Sequence, residues 1–226
     1  MEKESCRICS LKSSAAKELN DCQLDLLGSN CAQVAFNVGD IIIKQDSLST
    51  NIVYVKTGLV KLHIQGPIKE MIMRIVKAPA YLCLPSTFGD KANHFSATAL
   101  EKTTICFIDL HTFKQFIYAN GDFAYQILLD LSKGQLQSFQ SCVSNAQKHS
   151  LGKIADVLMY FSKEIYESDN YTLPISRQDL GDMASTTRES ASRILSEFHS
   201  DKIIKLEGKK VTILNPDLLK QISEKG

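Results

Sequence analysis

The sequence predicts an α+β chain: a run of short strands, one long helix, and a C-terminal helix-turn-helix closed by a β-hairpin. Three observations predict it. Short apolar clusters punctuated by Gly39, Gly58, Gly66 and Gly89 fill the N-terminal half. Asp122 to Gln147 contains no proline and one inner glycine, Gly134. Ser176 to Leu195 carries two closely spaced helix starts and is followed by two β-rich runs around a glycine.

In chain order, strands are expected at Ile41 to Ile43, Ile52 to Lys56, Val60 to Ile64, Met71 to Val76, Phe95 to Ala99 and Thr104 to Leu110. The long helix repeats apolar residues at Leu129, Leu136, Phe139, Val143 and Ala146, with Ser132 at the missing position, which is the spacing of a coiled-coil seam. A second seam runs through Tyr125, Leu128, Ser132, Gln135 and Phe139, and the pattern does not choose between them. His149, Ser150 and Leu151 start the next helical segment, where Lys153 to Tyr166 is amphipathic with Ile154, Val157, Leu158, Phe161 and Ile165 on one side, and a hinge near Lys148 precedes it. The expected boundaries are therefore 1–120 for the strand-rich domain, 121–147 for the long helix and 148–226 for the last domain.

The helix-turn-helix is the most informative part. Ser176 followed by Asp179 marks a helix start, because a hydroxyl caps free N–H groups and a carboxylate suits the positive end of the helix dipole. A second start falls at Thr186 or Thr187. Ala191, Ile194, Leu195 and Phe198 then recur at i, i+3, i+4 and i+7, so one stripe must dock on the domain. At about 100° per residue, Glu189, Ser192, Arg193 and Ser196 point the other way, with Arg188 beside them. Arginine can bond both acceptors of guanine, glutamate can accept from the cytosine amino group, and serine can do either, so Arg188, Glu189, Ser192 and Arg193 are the expected base contacts. Ile203 to Ile213 reads as a hairpin turning at Glu207-Gly208-Lys209 and stopped by Asn215-Pro216. Its lysines, Lys209 and Lys210 foremost, are placed for phosphates, as are Ser176 and Thr187 at the helix starts.

Ser176-Arg177-x-Asp179-Leu180-Gly181 and Thr187-Arg188-Glu189-x-x-Ser192-Arg193-Ile194-Leu195, ending in a wing, resemble the Crp/Fnr superfamily of bacterial transcription regulators. Upstream marks fall in the same order: Phe36-x-x-Gly39-Asp40-x-Ile42, Tyr54-Val55-x-x-Gly58-x-Val60-Lys61 and Ala97-x-Ala99-Leu100-Glu101. The resemblance implies a β-roll of the cyclic-nucleotide-binding jelly-roll type and a parallel homodimer through the long helix, with Leu129, Leu136, Phe139 and Val143 at its interface. It also implies double-stranded DNA with an inverted-repeat site as target, RNA polymerase as a further partner, and a small effector or redox signal at the roll. In cyclic-nucleotide-binding relatives the pocket carries a Gly-Glu and an Arg-Ser pair; here the matching residues are Gly89, Asp90, Phe95 and Ser96. Phenylalanine in place of the phosphate-binding arginine argues against cAMP. Cys6-x-x-Cys9 and Cys106 lie where Fnr-type regulators hold an iron–sulfur cluster, but the position expected for the third ligand is Ala15, leaving Cys22 or Cys31 as substitutes and Cys6, Cys9, Cys22 and Cys106 as the nearest ligand set. The alternatives are such a cluster-based sensor, or a ligand-binding β-roll protein without regulatory activity on DNA.

Composition sets outer bounds. The 226 residues, 44% hydrophobic, suffice for two modest cores. No apolar run reaches membrane-spanning length and Met1-Glu-Lys-Glu-Ser lacks the basic-then-apolar form of a signal peptide, so a cytoplasmic protein without a membrane partner is expected. Seven cysteines in that compartment are expected as thiols or ligands. His63, His94, His111, His149 and His199 are scattered, so no zinc set is expected. No nucleophile elbow or phosphate loop points to an enzyme. The net charge of +1 is no nucleic-acid footprint, and residues 148–226 hold 12 Lys/Arg against 12 Asp/Glu, so any DNA affinity must come from local placement.

Overall fold

The computed structural model describes residues 5–226; Met1 to Glu4, the stretch read above for targeting features, lies outside the described residues. Two short helices open it, α1 (Ser14–Lys17) and α2 (Asp21–Ser29), the latter started by a capping box between Asn20 and Gln23. The strands β1 (Cys31–Phe36), β2 (Ile41–Ile43), β3 (Asn51–Thr57), β4 (Leu59–Gln65), β5 (Glu70–Lys77) and β6 (Ala80–Leu82) follow. After α3 (Leu84–Phe88) come β7 (Ser96–Ala99), β8 (Thr103–Asp109), α4 (Leu110–Ala119) and the long α5 (Gly121–Gln147). Then come α6 (Ser150–Tyr160), continued by a π-helical turn (Phe161–Tyr166), β9 (Asn170–Thr172), α7 (Arg177–Met183), α8 (Arg188–Ser200), β10 (Ile204–Glu207), β11 (Lys210–Ile213) and α9 (Pro216–Lys225). No helix among the described residues is long and apolar enough to cross a membrane.

The chain forms two compact units: one up to Gln65 together with Arg74–Gln137, the other Gly66–Met73 together with Ser138–Gly226. In the first, two four-stranded sheets of order β1-β8-β3-β6 and β2-β7-β4-β5 make the roll. Alternation along β3 sends Val53 and Val55 inward to meet Val60, Val76, Ala97 and Ile105 between the sheets. Ile52 and Tyr54, on the opposite face of the same strand, join Cys31, Ile108 and the aromatic rings of Phe113, Phe116 and Phe123 under the N-terminal helices. The sheet thus carries a core on each side. The β3–β4 turn depends on Gly58, whose φ is +100° and where an added Cβ would lie 2.3 Å from Thr103 Oγ1.

The expected strands all form, each within a residue or two of its expected bounds. Additional strands, β1 and β6, complete the β1-β8-β3-β6 sheet, and β9 pairs with β11 beside the wing. α6 starts at Ser150, and the last turns of its expected amphipathic stretch widen into the π-helical segment.

Candidate nucleic-acid interface and sensor residues

α8 is anchored by its apolar stripe, with Ala191, Ile194, Leu195 and Phe198 at 0, 1, 0 and 2% exposure. Thr187 caps it, accepting a hydrogen bond from Ser190 N at 3.1 Å. Ser176 caps α7 and forms a box with Asp179, whose carboxylate accepts from Ser176 N at 2.9 Å. The turn between the helices is tight: an added Cβ at Gly181 would lie 3.0 Å from the Thr187 carbonyl, so a larger residue would push α8 away from α7. The three-stranded sheet β10-β11-β9 packs beside them, and the wing turns at Gly208 with Glu207 opposite Lys210.

Packing of the stripe turns the polar side of α8 to solvent. Arg188, Glu189 and Arg193 are exposed and Ser192 is half-buried. Arg193 pairs with Glu197 one turn on, an exposed i,i+4 bridge that can open at little cost. Lys209 and Lys210 are exposed at the wing tip. The hydroxyls of Ser176 and Thr187 do not suit the phosphate role expected of them. Each holds a helix cap, Ser176 Oγ also donates to Asp179 at 2.6 Å, and Thr187 Oγ1 also donates to Ser190 Oγ at 3.2 Å. The sequence reading missed Arg177, whose guanidinium donates to the Gly208 carbonyl at 2.7 Å and ties the start of α7 to the wing tip. Partial burial lowers its pKa from the usual arginine value, yet leaves it charged.

A second feature missed from sequence lies where α5 ends. The Asp156 carboxylate accepts from Lys148 Nζ at 2.8 Å with both oxygens, from Ser144 Oγ at 2.6 Å, and from Ser223 Oγ. Residues of α5, α6 and α9 thus share one carboxylate.

On α5, Phe123 and Ile127 are buried while Tyr125, Leu128, Leu136, Phe139 and Val143 are all more than half exposed, and Leu129 is half-buried. The exposed apolar residues draw on both seams read from the sequence.

In the roll, Asp90 is exposed; it accepts from Ala92 N and pairs with His94 Nε2 at 2.8 Å, and these bonds hold its carboxyl below the usual carboxylate range. Phe95 packs against the roll core and Ser96 Oγ accepts from Gln45 N at 3.0 Å. Gly89 ends α3. This set offers no cation for a cyclic phosphate, so these residues do not fit a cyclic nucleotide.

The thiols are distributed otherwise than the cluster set required. Cys22 is exposed on α2, whereas Cys6, Cys9, Cys31 and Cys106 line one cavity of about 50 Å3 beneath the N-terminal segment. Of the two substitutes read from the sequence, Cys31 and not Cys22 lies beside Cys6, Cys9 and Cys106, because the strand β1 brings it next to β8. Among the described residues no group of three or more His, Cys, Asp or Glu side chains is arranged to hold a metal ion. Cys83, in contrast, is sealed in the roll core, where burial pushes its thiol up to about 12.

Known proteins match both halves. Residues 33–120 match the family described as cyclic nucleotide-binding domain, and residues 152–222 match the Crp-like helix-turn-helix domain. The transcriptional activator protein Anr of Pseudomonas protegens is 22% identical over 182 residues, covering 79% of this chain and 75% of that protein. The cAMP-activated global transcriptional regulator CRP of Haemophilus influenzae is 26% identical over 197 residues, 84% of this chain and 87% of that protein. In fold, the structure of FixK2 from Bradyrhizobium japonicum superposes with a TM-score of 0.77 at 17% identity, covering 85% of this chain and 96% of that one. The helix-turn-helix match sets aside the alternative of a ligand-binding roll without activity on DNA. With both domains matched in this order and the relatives running across them, the chain belongs to the Crp/Fnr family of DNA-binding transcription regulators.

Proposed function

We propose that the chain works as a homodimer on an inverted-repeat DNA site, with Arg188, Glu189, Ser192 and Arg193 reading bases and Lys209 and Lys210 holding phosphates. The observation that carries this reading is the division of α8 into a fully buried apolar stripe and an exposed face of two arginines and a glutamate beside a lysine-tipped wing. The dimer reading rests on the exposed apolar residues of α5, with Leu136, Phe139 and Val143 central and Leu129 at the margin. A parallel pairing through that seam would set two reading helices one DNA turn apart. The protein acts in the cytoplasm as a regulator and not as an enzyme, with RNA polymerase as its further partner. Its signal enters at the roll and shifts the readers between DNA-competent and incompetent arrangements.

Base and phosphate roles separate experimentally. Arg193→Ala is expected to cost about 1–3 kcal/mol per half-site and to relax preference at one base pair of each half-site. Lys210→Ala is expected to weaken specific and random duplexes alike and to flatten the salt dependence by roughly one ion per subunit. Titration of both variants on specific and random duplexes checks this. Equal losses of Arg193→Ala on both duplexes would refute the base assignment.

A further inference from the structure

The tip of the wing is held by more than its own hairpin. Leu173 N donates to the Lys209 carbonyl at 2.9 Å, one step beyond the last pair of β9 and β11, Thr172 with Lys210. Pro174 follows and has no N–H to give, so the backbone ladder stops there. The next carbonyl, that of Gly208, is taken by a side chain: Arg177 Nη2 donates to it at 2.7 Å. The base of the wing is secured separately, by the pairing of Ile204 with Ile213 and by Leu206 N, which donates to His199 Nδ1 at 3.3 Å. The turn itself, Glu207 to Lys210, is exposed throughout. Lys205 is engaged with Glu207 at 2.8 Å, which leaves Lys209 and Lys210 as the cations presented at the tip.

Helix chemistry does not explain an arginine at the start of α7. Arg177 is the first residue of that helix, where a cation opposes the positive end of the dipole. Its half-buried guanidinium also gives up solvation, which lowers its pKa from the usual arginine value. A hydrogen bond from a charged donor to the Gly208 carbonyl offsets both costs. That carbonyl is the one place where the tie matters most. Gly208 has a φ of +63°, a conformation open to glycine with many others, so an untied apex would carry more backbone freedom than any other residue of the turn.

We propose that Arg177 is a positioning residue for phosphate binding: by holding the Gly208 carbonyl it keeps the wing tip ordered, so that Lys209 and Lys210 meet the DNA backbone in a fixed arrangement. The proposal rests on the phosphate reading of those two lysines, and it gives Arg177 no contact with DNA. Its benefit is one of order. A tip already fixed in the free protein need not be immobilised on binding, a step that otherwise weakens affinity by roughly two- to tenfold.

Two measurements on the full chain test this. In amide hydrogen exchange of the free protein, Arg177→Met is expected to lose protection at Leu173, whose N–H is bonded to the Lys209 carbonyl, while Ile204 and Ile213 keep theirs; unchanged protection at Leu173 would overturn the tie. In titration on a random-sequence duplex, Arg177→Met is expected to bind roughly two- to tenfold more weakly per subunit, with the salt dependence unchanged. In a Lys209→Ala/Lys210→Ala background the same substitution is expected to cost less than about twofold, because residues that act through one another are not additive. An arginine bonded to phosphate itself would flatten the salt dependence by roughly one ion per subunit and would cost as much with or without the lysines. Either of those results, or no loss at all, would overturn the proposal. Should Arg177→Met fail to fold, Arg177→Lys goes through the same cycle and the same outcomes decide. If the lysine double variant alone binds the random duplex as tightly as its parent, the phosphate reading fails, whereas the exchange comparison, made without DNA, still decides the tie.

Discussion

Phe198→Ala is expected to destabilise the C-terminal unit by about 3–5 kcal/mol, the usual cost of emptying a buried phenylalanine site. The side chain is 2% exposed and ends the stripe through which α8 docks, so its loss opens a cavity under the reading helix itself. For a unit of this size the melting temperature should fall by more than roughly 12 °C. Specific DNA binding should fall with it, since the helix loses the anchor that fixes its polar face. Thermal unfolding followed by circular dichroism, with the exposed Ser196→Ala on the other face as a control, checks the result. A Phe198→Ala protein that melts within about 3 °C of its parent would contradict the packing described here.

The second large effect is expected at Asp156. Removing its carboxylate leaves the Lys148 ammonium, about one quarter exposed, without this counter-charge, and deprives the Ser144 and Ser223 hydroxyls of their acceptor. Asp156→Ala should cost about 2–3 kcal/mol, because hydrogen bonds to a charged group are worth more than neutral ones and the site is only partly solvated. Asp156→Asn keeps an acceptor and should cost less. The carboxylate also joins the end of α5 to α6 and α9, so both variants should lose affinity for a complete inverted repeat by more than they lose for a single half-site. Denaturant unfolding and titration on the two duplexes read these effects. Equal loss on both duplexes would restrict Asp156 to a role in stability.

The difference between these two residues shows what a sequence makes legible. The stripe ending at Phe198 is a local pattern: i, i+3, i+4 and i+7 with a capping threonine before it, and the structure buries every member. The Asp156 site draws on Ser223, 67 residues further along the chain, and each group is an ordinary polar residue in its own segment, so no spacing betrays it. The same holds in the roll. Strands with alternating or continuous apolar runs were readable, whereas β1, whose outward face carries Cys31 and Gln33 into the cavity, and the three-residue β6 were not. Choosing Cys31 over Cys22 required the β1–β8 register, which is a property of pairing between strands. Asp90 and Ser96 were matched by position, but their hydrogen bonds to His94 and to the Gln45 backbone depend on side-chain orientation that position does not give.

The central claim is that two copies of α8 read DNA through Arg188, Glu189, Ser192 and Arg193. Selection of the purified protein on a pool of random duplexes, followed by sequencing of the bound fraction, tests it most directly. The account predicts enrichment of an inverted repeat with half-sites about 10 base pairs apart centre to centre, and loss of that enrichment in Arg188→Ala/Arg193→Ala. A bound pool with no enriched sequence, or one unchanged by that double variant, would contradict it.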